Sequence, residues 1–156
     1  MEEISFTYEF DLPELHSYEA VFQQILAITK QQLKITQDLM LSVNFIDEEK
    51  SLNLNQTYRG KDYAGDVLSF PIDDPMGIYD QLDFKEIGDI FITYSIAQKK
   101  AKEYNHTIYN EMAWLFTHGL LHILGYDHEL DKTAAEIMFS LTDNILKVIN
   151  VDYKIV

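Results

Sequence analysis

Cysteine is absent from this chain. That excludes disulfides, thiol catalysis and any thiolate-ligated zinc site, so a metal would have to be held by histidine or carboxylate. Arginine occurs once, as Arg59, and 12 basic residues face 26 acidic ones, a formal net charge of −14. Such acidity repels phosphate backbones at long range. It favours a small molecule, a peptide or a basic protein as partner, unless positive charge is gathered locally. No apolar run is long enough to cross a bilayer. The opening MEEISFTYEF is acidic and alternating and does not look like a signal peptide. The expectation is a cytoplasmic protein with no membrane partner. Hydrophobic residues make up 47% and charged residues 24%, which is ordinary globular usage and argues against disorder. A chain of 156 residues is expected to form one domain, 1–156, with a substantial core.

Periodicity outlines the elements. Ile4, Phe6, Tyr8 and Phe10 alternate with polar residues and predict a strand. Residues 17–33 have helical spacing, with Ser17 as the expected N-cap. Leu39, Leu41, Val43 and Phe45 predict a second strand, and Asp47 is placed to cap a helix from Glu48 to about Tyr58, ending near Gly60. VLSFPI (67–72) and IGDIFITY (87–94) predict further strands, separated by an acidic segment, 73–86, expected to be an exposed loop. Ser95 is expected to cap a helix to Tyr104, and Thr107 to start another. A last amphipathic helix spans about 132–150, with Ile137, Leu141, Ile145 and Val148 as its inner stripe. Mixed strands and helices with short connections predict an α+β fold: a small mixed sheet with helices packed on it.

The stretch HGLLHILGYDH, residues 118–128, carries the chemistry. His118 and His122 are four apart, which puts both imidazoles on one helix face about one turn from each other. Gly125 lets the chain leave the helix through a left-handed residue and turn His128 back toward them. Three neutral imidazoles with an open fourth position make a catalytic zinc site, one ion per chain, although other divalent transition metals suit the same donors. The helix that bears them is apolar nearly all round, except for a stripe of Thr107, Glu111, His118 and His122. Glu111 lies two turns from His118, too far to be a ligand. It is expected to be solvated near the helix start or to act as an outer partner of the site.

The spacing is that of the zincin motif H-E-x-x-H-x-x-G-x-x-H, with Gly125 and His128 at the expected offsets. The glutamate that takes a proton from water in zinc proteases is replaced by Gly119. Together, HGLLHILGYDH, YRGKDYAGDVLSFP (58–71) and IGDIFI (87–92) closely resemble the YbeY family of bacterial rRNA maturation factors, in the same order over most of the chain. The resemblance implies a zincin-like α+β fold. It also implies a zinc-dependent, single-strand-specific endoribonuclease acting in 16S rRNA 3′-end maturation and ribosome quality control, with ribosomal RNA and the ribosome or its associated proteins as partners. His118, His122 and His128 match the family's metal ligands, and Arg59 an arginine of its active site. Gly65 stands where many members have threonine, which puts a hydroxyl role there in doubt.

The residues support that chemistry on their own terms. Phosphodiester cleavage gathers negative charge on phosphoryl oxygens, and a guanidinium can meet it with two parallel hydrogen bonds. A single arginine in a chain that otherwise uses lysine suggests that this geometry is wanted at Arg59. We therefore assign catalytic roles to Arg59 and His118, and expect Arg59 to approach the metal in the fold. Asp127 is read either as orienting a ligand or as holding the turn before His128. Asp66 and Ser69 are candidates to line the groove, Asp66 equally to cap a turn. Lys61 and the cluster Lys99, Lys100 and Lys102 are candidates for phosphate contacts, with a solvated helix face the default for the cluster. His16 and His106 receive no role. Two other functions use the same histidines: a minimal metallopeptidase, and a noncatalytic ribosome-associated protein stabilised by zinc.

Overall fold

The computed structural model describes residues 3–153. Four strands and five helices follow one another as β1 (Ile4–Tyr8), α1 (Glu19–Leu33), β2 (Asp38–Ile46), α2 (Glu48–Arg59), β3 (Val67–Pro71), β4 (Phe84–Thr93), α3 (Tyr94–Glu103), α4 (Ile108–Ile123) and α5 (Lys132–Val148). The sheet order is β1-β2-β4-β3. The β1–β2 and β2–β4 pairs are parallel, and β3 alone runs antiparallel, against β4. This is the mixed sheet with packed helices expected of an α+β chain.

The helix α4 is the centre of the fold. It packs against β3, β4, α1, α3 and α5, and Met112, Ala113, Leu115, Phe116, Leu120 and Leu121 are wholly buried. Phe116 stacks on Phe22 of α1 with centroids 4.4 Å apart. A helix apolar on almost every side can be stable only where neighbours cover each side, and here they do. Thr107 caps its start by accepting from the Asn110 amide. Asp47 caps α2 in the same way through Lys50, and Gly60 ends α2 in the left-handed conformation.

Several local expectations need correction. The first strand stops at Tyr8. Ser17 does not cap α1: it lies in a tight 3-10 turn, Pro13–Tyr18, that runs straight into the helix, so no amide is left for it to cap. Its hydroxyl donates to the Glu14 carbonyl instead. Ser95 lies inside α3, which starts at Tyr94, and its hydroxyl donates to Glu48. The acidic segment 73–86 is only partly a loop. It contains a 3-10 turn, Ile78–Gln81, and β4 begins at Phe84. Asp74 accepts from the amides of Ile78 and Tyr79 to shape that turn. On α5 the buried positions are Met138, Thr142, Ile145 and Leu146, whereas Ile137 and Val148 are more than half exposed.

Candidate metal centre

His118 and His122 occupy the last two turns of α4, and the fold supplies the bend that the third histidine needs. The helix ends at Ile123. Gly125 adopts φ +104, and the Tyr126 amide returns to the Leu121 carbonyl. His128 follows and folds back over the helix end, where its ring meets Phe139 of α5 at 5.7 Å. One ring nitrogen from each of His118, His122 and His128 lies within 4.8 Å of the others. The Nε2 atoms of His118 and His122 are 3.2 Å apart. Two nitrogens bound to one tetrahedral zinc at 2.0–2.1 Å would stand about 3.3–3.4 Å apart, so the spacing fits a shared cation.

Protonation state agrees with this geometry. Burial, aided by the neighbouring His122 and His128 and by Lys100, pushes the His118 imidazole down to about 3. Burial and His128 push His122 down as well. Both rings are neutral near pH 7, the form in which imidazole binds metals. The buried Nδ1 atoms of His118 and His128 have no partner among the described residues. The donor set therefore suits a divalent transition metal.

A pH dependence follows. The unfolded chain protonates His118 at its ordinary value of 6.5, while the folded chain resists until about 3. Across that window the unfolded state binds more protons, so this residue makes the metal-free protein less stable as pH falls. Thermal melts of chelator-treated protein at pH 7 and pH 5 should show a larger drop in Tm for wild type than for His118→Leu. Equal drops would contradict the assignment.

The histidines form one wall of a cleft of about 470 Å³, whose other walls include Arg59, Asp66, Val67, Ser69, Lys100, Trp114, Asp127 and Glu129. Arg59 enters from the last turn of α2, where its guanidinium donates to the Asn55 side chain at 3.1 Å. Lys100 enters from α3 and pairs with Asp66. Burial disfavours the charge on Lys100, yet the hydrogen bond and charge of Asp66 hold its pKa above the ordinary lysine value. In a strongly acidic chain, two cationic side chains thus face the same space as the three imidazoles.

The structure separates the remaining sequence candidates. Asp127 lines the cleft and also accepts from the Glu129 amide at 2.8 Å, which holds the turn. Ser69 ties β3 to α4 by donating to the Gly119 carbonyl at 3.2 Å. Lys99 is largely exposed and reaches Glu48, and neither it nor Lys61 lines the cleft. Glu111 is not solvated. It is completely buried and accepts from His106 Nε2 at 2.8 Å and from the Tyr153 hydroxyl at 3.1 Å. Burial holds its carboxyl above the ordinary glutamate value, although these two bonds lower it. His106, given no role from sequence, is its partner. Sequence reasoning also missed Trp114 as a cleft residue. The available signal was its position one turn before His118 on the same helix.

Gly119 explains the missing protease glutamate. A Cβ there would meet Ser69 Oγ at 3.0 Å, Val67 Cγ2 at 3.2 Å and Ile90 Cγ2 at 3.3 Å. The helix lies so close to β3 and β4 at this point that even a methyl group is crowded. No helix among the described residues is long and apolar enough to span a membrane.

Comparison with known proteins places the chain. Residues 5–150 match the model of the family described as Endoribonuclease YbeY. A protein of that name from Mesoplasma florum is 40% identical over 97% of this chain and 89% of its own length. The Mycoplasma capricolum protein of the same name is 41% identical over 89% of this chain and 84% of its own. The solution structure of TM1509 from Thermotoga maritima superposes with a TM-score of 0.62 at 27% identity, covering 92% of this chain and 87% of that one. With its histidine cleft, its sheet and nearly its whole length accounted for, this chain belongs to the endoribonuclease YbeY family.

Proposed function

We propose that this protein is a zinc-dependent endoribonuclease that cleaves single-stranded RNA, and that it works in the cytoplasm in 16S rRNA 3′-end maturation and ribosome quality control. The ribosome or proteins associated with it would be its partners. The observation that carries the reading is the meeting of three neutral imidazoles with Arg59 and Lys100 in one cleft. Asp66, Asp127 and Glu129 line the same cleft, so Arg59 and Lys100 act as individual donors to a phosphate and not as a net positive surface. Family membership supports RNA as the substrate class, and the resemblance of the motifs supports the rRNA role.

His118, His122 and His128 would hold the ion. When bound there, zinc supplies Lewis acidity toward a water molecule and toward a phosphoryl oxygen. The chain's own residues do the rest. Arg59 offers two parallel N–H donors to the phosphoryl oxygens on which charge accumulates. Lys100 provides a point charge lining the same cleft, its ammonium held by Asp66. Asp127 is placed at the cleft to accept a proton.

Removal of Arg59 separates turnover from metal binding. Arg59→Ala should retain its zinc and lose roughly 10²–10³-fold in RNA cleavage, the usual effect of losing one donor to developing charge. Metal content by elemental analysis and a fluorogenic RNA assay check both halves; retention of wild-type turnover would remove Arg59 from the reaction. The function as a whole is tested by incubating metal-loaded protein with single-stranded RNA and with casein, each with and without chelator. Chelator-sensitive cleavage of RNA alone is expected. Cleavage of casein with RNA intact would make this a metallopeptidase, and the crowding at Gly119 stands against that outcome.

A further inference from the structure

A metal-ligating histidine is generally kept in its orientation by its second ring nitrogen, which donates to a carboxylate, a carbonyl or a water. His118 lacks that protein restraint: its Nδ1 is buried and has no partner among the described residues. What holds the ring is aromatic. Trp114, the chain's single tryptophan, lies one turn earlier on α4 and stacks on His118 with centroids 4.5 Å apart and planes 14° from parallel. Tyr153 stacks on the same indole at 4.5 Å and 16°. Both rings lie nearly parallel to the indole, so Tyr153, Trp114 and His118 form one three-ring stack joined through Trp114.

The far end of the pile is fixed. The Tyr153 hydroxyl donates to Glu111 Oε2 at 3.1 Å, and the other carboxylate oxygen takes His106 Nε2 at 2.8 Å. Glu111 is wholly buried, so it cannot exchange these partners for water. Glu111, Trp114 and His118 stand at i, i+3 and i+7 of one helix and share its face. The stack therefore begins and ends on α4.

We propose that Trp114 is a positioning residue for the metal centre: with Tyr153 and Glu111 behind it, it fixes the plane of the His118 ring and so the direction of its Nε2 lone pair. The proposal rests on the metal-centre reading above. A flat stack restrains ring rotation without withdrawing or donating a proton at Nδ1. It also covers one face of the ring, and Trp114 itself lines the cleft.

Cobalt(II) provides the test, because its visible absorption reports coordination geometry independently of RNA cleavage. Wild type, Trp114→Phe, Trp114→Leu and Tyr153→Leu are titrated with Co²⁺ after chelator treatment, and the metal-free fold of each is checked by circular dichroism and melting. Wild type should bind Co²⁺ with strong tetrahedral absorption. Trp114→Leu should bind roughly 10–100-fold more weakly, the range seen when supporting partners of metal ligands are lost, with weakened or shifted bands. Tyr153→Leu should fall between, and Trp114→Phe should recover most of the wild-type spectrum. If Trp114→Leu and Tyr153→Leu lower the melting temperature but titrate with the wild-type affinity and spectrum, the stack is only structural and the proposal is overturned. If Trp114→Leu does not fold, Tyr153→Leu decides alone. A wild type that takes up no Co²⁺ overturns the metal centre itself and this proposal with it.

Discussion

His118→Ala is expected to abolish both metal retention and RNA cleavage. His118 is the most deeply buried of the three histidines, and its Nε2 stands 3.2 Å from that of His122. With alanine there, two nitrogens remain, one of them on the turn after the helix. Lewis-acid stabilisation by a metal is worth several kcal/mol, so its loss should reduce cleavage on the order of 1,000-fold. Metal affinity should fall by more than about 100-fold, beyond the effect of losing a supporting partner. Equilibrium dialysis against zinc and single-turnover RNA cleavage measure the two losses. The fold should survive, because the imidazole faces the cleft and its removal relieves a desolvated group. Cleavage that persists in a folded, metal-free His118→Ala protein would place the chemistry elsewhere.

The second large effect is on stability. Gly119→Glu would restore the residue that zinc proteases carry, and it should not yield a peptidase. The first side-chain carbon alone would be pressed against Ser69, Val67 and Ile90 at 3.0–3.3 Å. Overpacking of this kind typically costs about 1–3 kcal/mol, and a carboxylate buried without a partner adds more. We expect Gly119→Ala to lose about 0–2 kcal/mol, because roughly 1 kcal/mol of helix propensity offsets the crowding, and Gly119→Glu to lose several kcal/mol, a large fraction of a domain's stability. Denaturant melts of the two variants provide the measurement. Gly119→Glu with wild-type stability and casein cleavage would mean that α4 can move away from β3, and would reopen the peptidase reading.

How much of this was legible in the sequence depends on distance along the chain. The metal ligands span eleven consecutive residues, so helix periodicity and one glycine suffice to bring them together. Arg59 was found by its singularity and by the resemblance of the motif around it, while periodicity gave no signal that it would approach the histidines. Lys100 was hidden in a lysine run: Lys99, Lys100 and Lys102 look alike, and only the packing of α3 on α4 determines which of them turns toward Asp66. Of the two readings of Glu111, the solvated one failed because it rested on the rule that a charged residue near a helix start ordinarily faces water. Of the two partners that make its burial tolerable, His106 is five residues away but Tyr153 is 42. The inner face of α5 was misphased for a related reason. Apolar residues occur on both sides of that helix, so two stripes satisfied the spacing and α1 and α4 selected between them. Ser17 and Ser95 had the right chemistry for caps but were overruled where one element runs into the next without a break.

The contrast between local and distant residues bears on the order in which the site assembles. Closing a loop costs more as the loop lengthens, and the three imidazoles need only short closures, whereas Lys100 and Arg59 lie 18 and 59 positions upstream of His118. Yet α4 is apolar on almost every side and is stable only once β3, β4, α1, α3 and α5 cover it. The three imidazoles and the cationic side chains of the cleft therefore take their places together, and uptake of an ion would follow completion of the fold.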